Sequence, residues 1–306
     1  MVNTSLLQKR ASTLTRLIPD MFRPSFYPTA QYARAFWWND TPNFGDLITP
    51  FLLRQMGIAP ILKPAKSADL LGAGSVLELL GEDYNGIIWG SGKMHEHEET
   101  NLPHAQFLGV RGHLTRAALG LSKDATTVGD PGLLMSDYVK RKAATVDIAV
   151  IPHFSHQQED WVHGLREEAS RRSLKIIDVG NSPLKVVEQI AQARYVLTTS
   201  LHGLICADAL GVPAAWALPE PVLAGATFKF RDYSSVVDPQ GKIEGRFDSI
   251  ENLLNPDSLK RIAQSPDSAL VKATQENLRS TLQRIPQLLP TPHVLPLTLP
   301  VHQYRP

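Results

Sequence analysis

From about residue 35 onward, short apolar runs alternate with segments whose apolar residues recur at helical spacing. Ala35–Trp38 reads as a strand. After a polar turn, Leu47, Phe51, Leu52 and Met56 fall on one face of a helix that ends at Gly57. Further strands are expected at Ile87–Trp89, Phe107–Val110 and Thr126–Val128, with a helix from near Leu114. A second alternation begins near residue 146. It has strands at Ile148–Ile151, Lys175–Val179, Tyr195–Thr199 and Ala214–Ala217, and helices near 158–172, 183–193 and 201–210. Residues 250–286 read as helical. Strand–helix alternation of this kind predicts an α/β fold with parallel sheets covered on both faces. The charged stretch Lys140–Ala144 separates the two series. The division expected is an N-terminal leader (1–35), a first α/β domain (36–142), a second with closing helices (143–286) and a Pro-rich tail (287–306). Two such domains in tandem direct the C-terminal ends of their strands at a shared cleft, where ligands bind.

Composition narrows the classes of partner. The 306 residues carry 31 basic and 30 acidic side chains, a net charge of +1, which gives no global attraction for nucleic acid. An anion site, if present, is local. The single cysteine, Cys206, falls in a helix of small residues and reads as a buried filler, compatible with a reducing compartment. The first residues are interrupted by Gln8, Lys9, Arg10 and Thr13, which argues against a signal peptide. No run reaches the roughly 18 apolar residues of a membrane span. Leu6, Leu7, Leu14, Leu17 and Ile18 interleave with basic residues, a pattern open to an interfacial helix, a helix packed on the body or a loose leader.

Most of the polar punctuation follows a predicted strand. In Thr198–Trp216 the strand stops at Ser200, and Leu201-His202-Gly203 opens the helix. Unpaired N–H groups at such a helix start attract an anion, and His202 lies in that first turn. Asn43-Phe44-Gly45-Asp46 links strand to helix, with Asp46 able to cap it. Gly72–Ser75 and Gly90-Ser91-Gly92 are short glycine loops without a dinucleotide fingerprint or Walker pattern. Arg111-Gly112 offers a planar guanidinium after a strand, for a carboxylate or phosphate. Asp130, in Gly129–Gly132, either starts a turn or supplies a carboxylate able to accept a hydroxyl proton. His153 stands at the end of the first strand of the second series. Lys229 and Arg231 place two cations close together. The other histidines, including the His95–Glu99 cluster, lack metal-ligand spacing and read as exposed or structural, so no metal is expected.

These segments, in this order, resemble the bacterial polysaccharide pyruvyl transferases over roughly residues 36–235. The resemblance rests on Asn43–Asp46, the two glycine loops, Val110-Arg111-Gly112, Gly129-Asp130-Pro131, Ser200–Ile205 and Lys229–Tyr233. It looks nearest to the xanthan-type ketal pyruvate transferases. It implies two Rossmann-like domains, as in the GT-B glycosyltransferases. It also implies transfer of the pyruvyl unit of phosphoenolpyruvate to two hydroxyls of one sugar, as a cyclic ketal. Phosphoenolpyruvate and a saccharide acceptor are the implied partners, the acceptor free or lipid-linked. No further cofactor is implied, and the location expected is cytoplasmic with at most peripheral membrane association. The implied binding residues are Asn43, Asp46, Ser91, Arg111, Ser200, Leu201, Gly203, Lys229 and Arg231. His202 is the implied general acid, with Asp130 or His153 as base. Some relatives carry Arg where this chain has Ser200, which shifts the carboxylate clamp toward Lys229 and Arg231. The competing reading is a GT-B glycosyltransferase using a nucleotide sugar, although no acidic ribose-binding element stands out. A silent carbohydrate-binding protein is the third.

Overall fold

The computed structural model describes residues 31–169, 173–225, 227–240 and 246–290. The expected leader segment 1–30 and tail segment 291–306 lie outside the described residues. Residues 31–35, expected to belong to the leader, instead open the first strand.

The first half runs β1 (Gln31–Phe36), α1 (Ile48–Gln55), β2 (Ile58–Leu62), β3 (Leu70–Leu71), β4 (Ile87–Ser91), β5 (Gln106–Val110), α2 (His113–Ala118) and β6 (Thr127–Val128). Its strands form a six-stranded sheet in the order β2-β1-β3-β4-β5-β6, parallel throughout. The second half runs β7 (Val146–Ile151), α3 (Asp160–Glu168), β8 (Leu174–Ile176), α4 (Pro183–Ile190), β9 (Ala193–Thr198), α5 (Leu201–Leu210) and β10 (Ala214–Trp216). These strands form a four-stranded parallel sheet, β10-β9-β7-β8. The expected α/β class with parallel sheets is what the fold shows.

Both sheets reverse their winding direction once. In the first, β1 is flanked by β2 on one side and β3 on the other; in the second, β7 lies between β8 and β9. At such switch points the loops leaving adjacent strands part and open a crevice at the carboxyl ends. The segments leaving β1 and β3 are 37–47 and 72–76, and those leaving β7 and β9 are 152–156 and 199–200. The two halves meet here: the Phe44 N–H donates to the carbonyl of Val179, after β8, at 2.7 Å, and His202, in the first turn of α5, packs on Gly45.

The chain closes with α6 (Phe228–Val237), α7 (Ile250–Leu253), α8 (Pro256–Ile262) and α9 (Ser268–Leu288). The single helical stretch expected at 250–286 is thus three helices, separated where Asn255 and Asp267 cap new starts. Helix α6 packs on α2, and α9 packs on the first sheet and on the turn Pro131–Asp137. On α9, Val271, Gln275, Leu278, Leu282 and Ile285 are buried, a stripe of helical period. The Trp89 indole N–H donates to Thr281 Oγ1 at 2.9 Å, fixing the helix over β4. One apolar cluster joins residues of both sheets, including Leu70 and Leu108 with Ile151 and Val196. Among the described residues no helix is long and apolar enough to cross a membrane.

Candidate active site

A cavity of about 680 Å³ lies where the two switch points face each other. Its lining includes Asn43 and Asp46 after β1, Gly74 and Ser75 after β3, His153 after β7, Ser200, Leu201 and His202 after β9, and Lys229 at the start of α6.

Helix α5 is apolar almost all round and nine of its ten residues are buried, so its direction is set by core packing and not by an amphipathic face. Thr198 Oγ1 accepts from the Ser200 N–H at 2.9 Å and donates to the Ile151 carbonyl at 3.0 Å, tying the end of β9 to β7. Ser200 caps the helix, its Oγ accepting from the Gly203 N–H at 3.4 Å. The preceding first-turn N–H groups have no intrahelical acceptor, and Ser200, Leu201 and His202 line the cavity. The helix stops at Gly211, whose φ of 64° suits a left-handed C-terminal residue.

His202 is nearly buried, at 7 % exposure. Its Nε2 stands 3.8 Å from Asp130 Oδ2, and neither atom has a hydrogen-bond partner. Its Nδ1 lies over Gly45, where a Cβ would approach to 2.1 Å, so only glycine leaves room for the ring. Asp130 is fully buried, and its Oδ1 accepts from the Gly132 N–H at 2.8 Å, capping the turn Pro131–Asp137. Burial pushes the His202 pKa down, while the nearby Asp130 carboxyl works against this; burial likewise pushes Asp130 up. The imidazole is therefore neutral at rest, with a carboxyl behind it.

Across the cavity, Asp46 Oδ2 accepts from Asn43 Nδ2 at 2.8 Å, and Asn43 Oδ1 accepts from the Gly45 N–H at 3.4 Å. Burial raises Asp46 to about 7, against the pull of Asn43 and Lys229. Lys229 Nζ donates to the Ala224 carbonyl at 3.2 Å and is held down to about 8, first by burial and then by Arg111. His153 accepts from the Ser155 N–H at Nδ1, at 3.3 Å, and is lowered to about 3, chiefly by burial and then by Lys229. That value lies far from neutrality, so His153 is a poor proton carrier there.

Several residues expected at the site stand elsewhere. Arg111 is fully buried: Nε donates to Asp232 Oδ2 at 2.9 Å, Nη2 to the Lys93 carbonyl at 2.7 Å, and Nη1 to Ser75 Oγ. With all three nitrogens engaged, the guanidinium is not a free anion clamp; it braces Ser75 from behind the wall. Ser91 is buried and donates to the Gly72 carbonyl. Gly203 packs against Thr198 and Ile151, where a Cβ would come within 2.5 Å of Thr198 Oγ1. Arg231 is exposed and pairs with Glu96 at 3.6 Å, away from the lining. Asp130 contacts the site only through His202. Conversely, Trp38, Glu78, Leu79 and Met94 line the cavity without having been marked by any motif. Trp38 was placed within a strand, but β1 ends at Phe36 and frees it. Among the described residues no group of three or more His, Cys, Asp or Glu side chains could hold a metal ion.

Two parallel α/β sheets with a shared cavity at their switch points define the structural class. Residues 91–218 match the family model for polysaccharide pyruvyl transferase. That segment holds Arg111, Asp130, His153 and His202. The chain is 24 % identical over 214 residues to the succinoglycan biosynthesis protein ExoV of Rhizobium meliloti (strain 1021), covering 66 % of this chain and 64 % of that one. It is 29 % identical over 135 residues to the uncharacterized protein L143 of Acanthamoeba polyphaga mimivirus, covering 42 % of this chain and 46 % of that one. The chain thus spans about half to just under two thirds of the length of these curated relatives. Among solved structures, the wall teichoic acid polymerase TagF aligns over 93 % of this chain and 95 % of its own, at 10 % identity and a TM-score of 0.42. An alpha-glucosyltransferase solved with UDP and DNA aligns over 83 % and 95 %, at 10 % identity and a TM-score of 0.32.

Proposed function

We propose that the chain transfers the pyruvyl group of phosphoenolpyruvate onto two hydroxyls of one sugar in an exopolysaccharide repeat unit, forming a cyclic ketal and releasing phosphate. The observation that carries this reading is the convergence of Lys229, the start of α5 and His202 on one cavity that also holds Asp46. Phosphoenolpyruvate brings phosphate and carboxylate together, and the ammonium and the helix-start N–H groups are the donors suited to them.

Arrival of this anion raises the His202 pKa, so the imidazole gains its second proton when substrate binds. Nε2–H then faces the Asp130 carboxylate, and the charged imidazole is the source of the proton that goes to C3 of the enol. C2 develops oxocarbenium character and is attacked by the first sugar hydroxyl, whose proton goes to Asp46. The bond from C2 to the phosphate oxygen breaks, and the second hydroxyl closes the ketal, its proton leaving with phosphate. His202 supplies the methyl proton and is reprotonated from solvent, Asp46 releases the first hydroxyl proton to solvent, and the second leaves with phosphate, so protons balance over the cycle. In this scheme Asp130 is a positioning residue, and Asp46 takes over the base role expected of Asp130 or His153.

The test is incubation with phosphoenolpyruvate and repeat-unit saccharides, following phosphate release and the pyruvyl mass gained by the sugar. Nucleotide release from a UDP-sugar, with phosphoenolpyruvate left intact, would overturn the reading in favour of glycosyl transfer.

A further inference from the structure

Six large hydrophobic side chains stand out as exposed among the described residues, and Trp38, Leu79 and Val222 of these line the same cavity. Solvent-facing apolar groups gathered on a pocket wall mark a surface for a ligand with an apolar face. Beside them stands Glu78, in the short turn Leu77–Leu79. Its Oε1 accepts from the Met94 and His95 N–H groups at 2.7 and 3.2 Å, which fixes the carboxylate against the 93–99 loop. Its Oε2 is buried and has no hydrogen-bond partner. Glu78 itself lines the cavity, so its carboxylate is an acceptor group held in place on that wall.

Charge separates this region from the anion site. Glu78 and Glu98 line the cavity here, and they repel a substrate carrying phosphate and carboxylate. Lys229 and the start of α5 attract one. A neutral ligand with C–H faces and hydroxyl edges meets what Trp38 and Glu78 offer on the lining of one cavity: a flat aromatic surface and an acceptor.

We infer that Trp38 and Glu78 form the acceptor subsite, with the pyranose of a neutral saccharide lying against the indole and one of its hydroxyls donating to the Glu78 carboxylate. The inference rests on the pyruvyl transfer reading for the identity of the acceptor, but its geometry stands apart from the donor chemistry. It also assigns acceptor specificity to the 38 and 78 positions.

The experiment is ligand-observed saturation-transfer NMR on the full chain with methyl glucoside, galactoside and mannoside, without phosphoenolpyruvate, on wild type and on Trp38→Ala, Trp38→Phe and Glu78→Gln. At least one saccharide is expected to bind wild type, and Glu78→Gln and Trp38→Ala to weaken it about tenfold or more. Trp38→Phe keeps a ring and is expected to recover part of the loss. Glu78→Gln retains an oxygen for the Met94 and His95 N–H groups, and its melting temperature checks that the loop is intact. Saccharide binding that is undiminished in folded variants overturns the subsite, as does failure of every saccharide to bind wild type. Binding that depends on Trp38 and Glu78 without consumption of phosphoenolpyruvate keeps the subsite and removes the pyruvyl transfer reading.

Discussion

His202 and Asp46 each sit in a setting that disfavours their charged form, so each proton-transfer step is tied to a local cost. For His202 the cost is burial, and Asp130 offsets part of it. Replacing His202 with Ala should lower kcat by about 10²–10⁴-fold while phosphoenolpyruvate affinity, measured by calorimetry, changes only a few-fold. A loss confined to affinity would make His202 a binding contact. Asp130→Asn, which keeps the shape but removes the charge behind Nε2, should lower the pH at which the imidazole titrates in the complex, read from a pH–kcat profile. Asp46 works in the opposite direction. Its pKa in the fold, about 7, lies above the 3.8 of an ordinary Asp, so the folded protein holds the extra proton between those values. Stability contributed by that proton is present below 3.8 and is lost as pH rises through about 7. Asp46→Asn should therefore raise the melting temperature more at pH 8 than at pH 5, and abolish turnover if Asp46 is the base. Equal melting shifts at the two pH values would show that Asp46 carries no such burden.

At the scale of elements, α2 and α6 are joined by one buried carboxylate. Asp232 on α6 accepts from the Thr115 N–H at 2.8 Å, from Thr115 Oγ1 at 2.6 Å and from Arg111 Nε at 2.9 Å. The ion pair is fully buried at both ends. Removing one partner strands the other charge, which typically costs about 3–5 kcal/mol. Arg111→Ala should therefore appear as a large loss in denaturant stability, with Lys229 displaced along with α6. An unchanged melting curve combined with a raised KM for phosphoenolpyruvate would return Arg111 to the anion site. This pair also marks a limit of legibility. An arginine in a turn after a strand is visible in sequence, but the carboxylate that claims it lies 121 positions away. Ser200 and His202 were legible because strand–helix junctions have local signals, and Lys229 because Lys229–Tyr233 resembles a family motif. Strands β2 and β3 were not. Pro60 interrupts the first, which is tolerated because β2 is an edge strand, and the second is only two residues long, too short for any period. Trp38 and Glu78 carry no motif; their exposure is a property of the assembled wall.

The molecule as a whole has two sheets but one apolar cluster running through both, and α9 is its strap. The sequence places this helix with the second sheet, next to it in the chain, yet its buried stripe packs on the first. Gln275 Nε2 donates to the Leu133 carbonyl at 2.9 Å, and Arg279 forks onto Asp137 at 2.6 and 2.8 Å. Both contacts fall on the turn that Asp130 opens, so the strap supports the segment behind His202. It also brings the chain back across the molecule after the second sheet is complete. Each sheet also packs a smaller cluster of its own, around Leu71, Ile88 and Val110 in the first and Ile148, Val150 and Leu197 in the second, but the large cluster joins them, and unfolding should be a single cooperative transition. Leu278 is the residue to probe, fully buried on α9 and part of the shared cluster. Leu278→Ala should cost about 2–5 kcal/mol through lost burial and the cavity left behind. Because the core is shared, calorimetry of the variant should show one shifted peak. Two resolved peaks, with only the lower one moved, would mean that the sheets melt as separate units and that α9 stabilises the first alone.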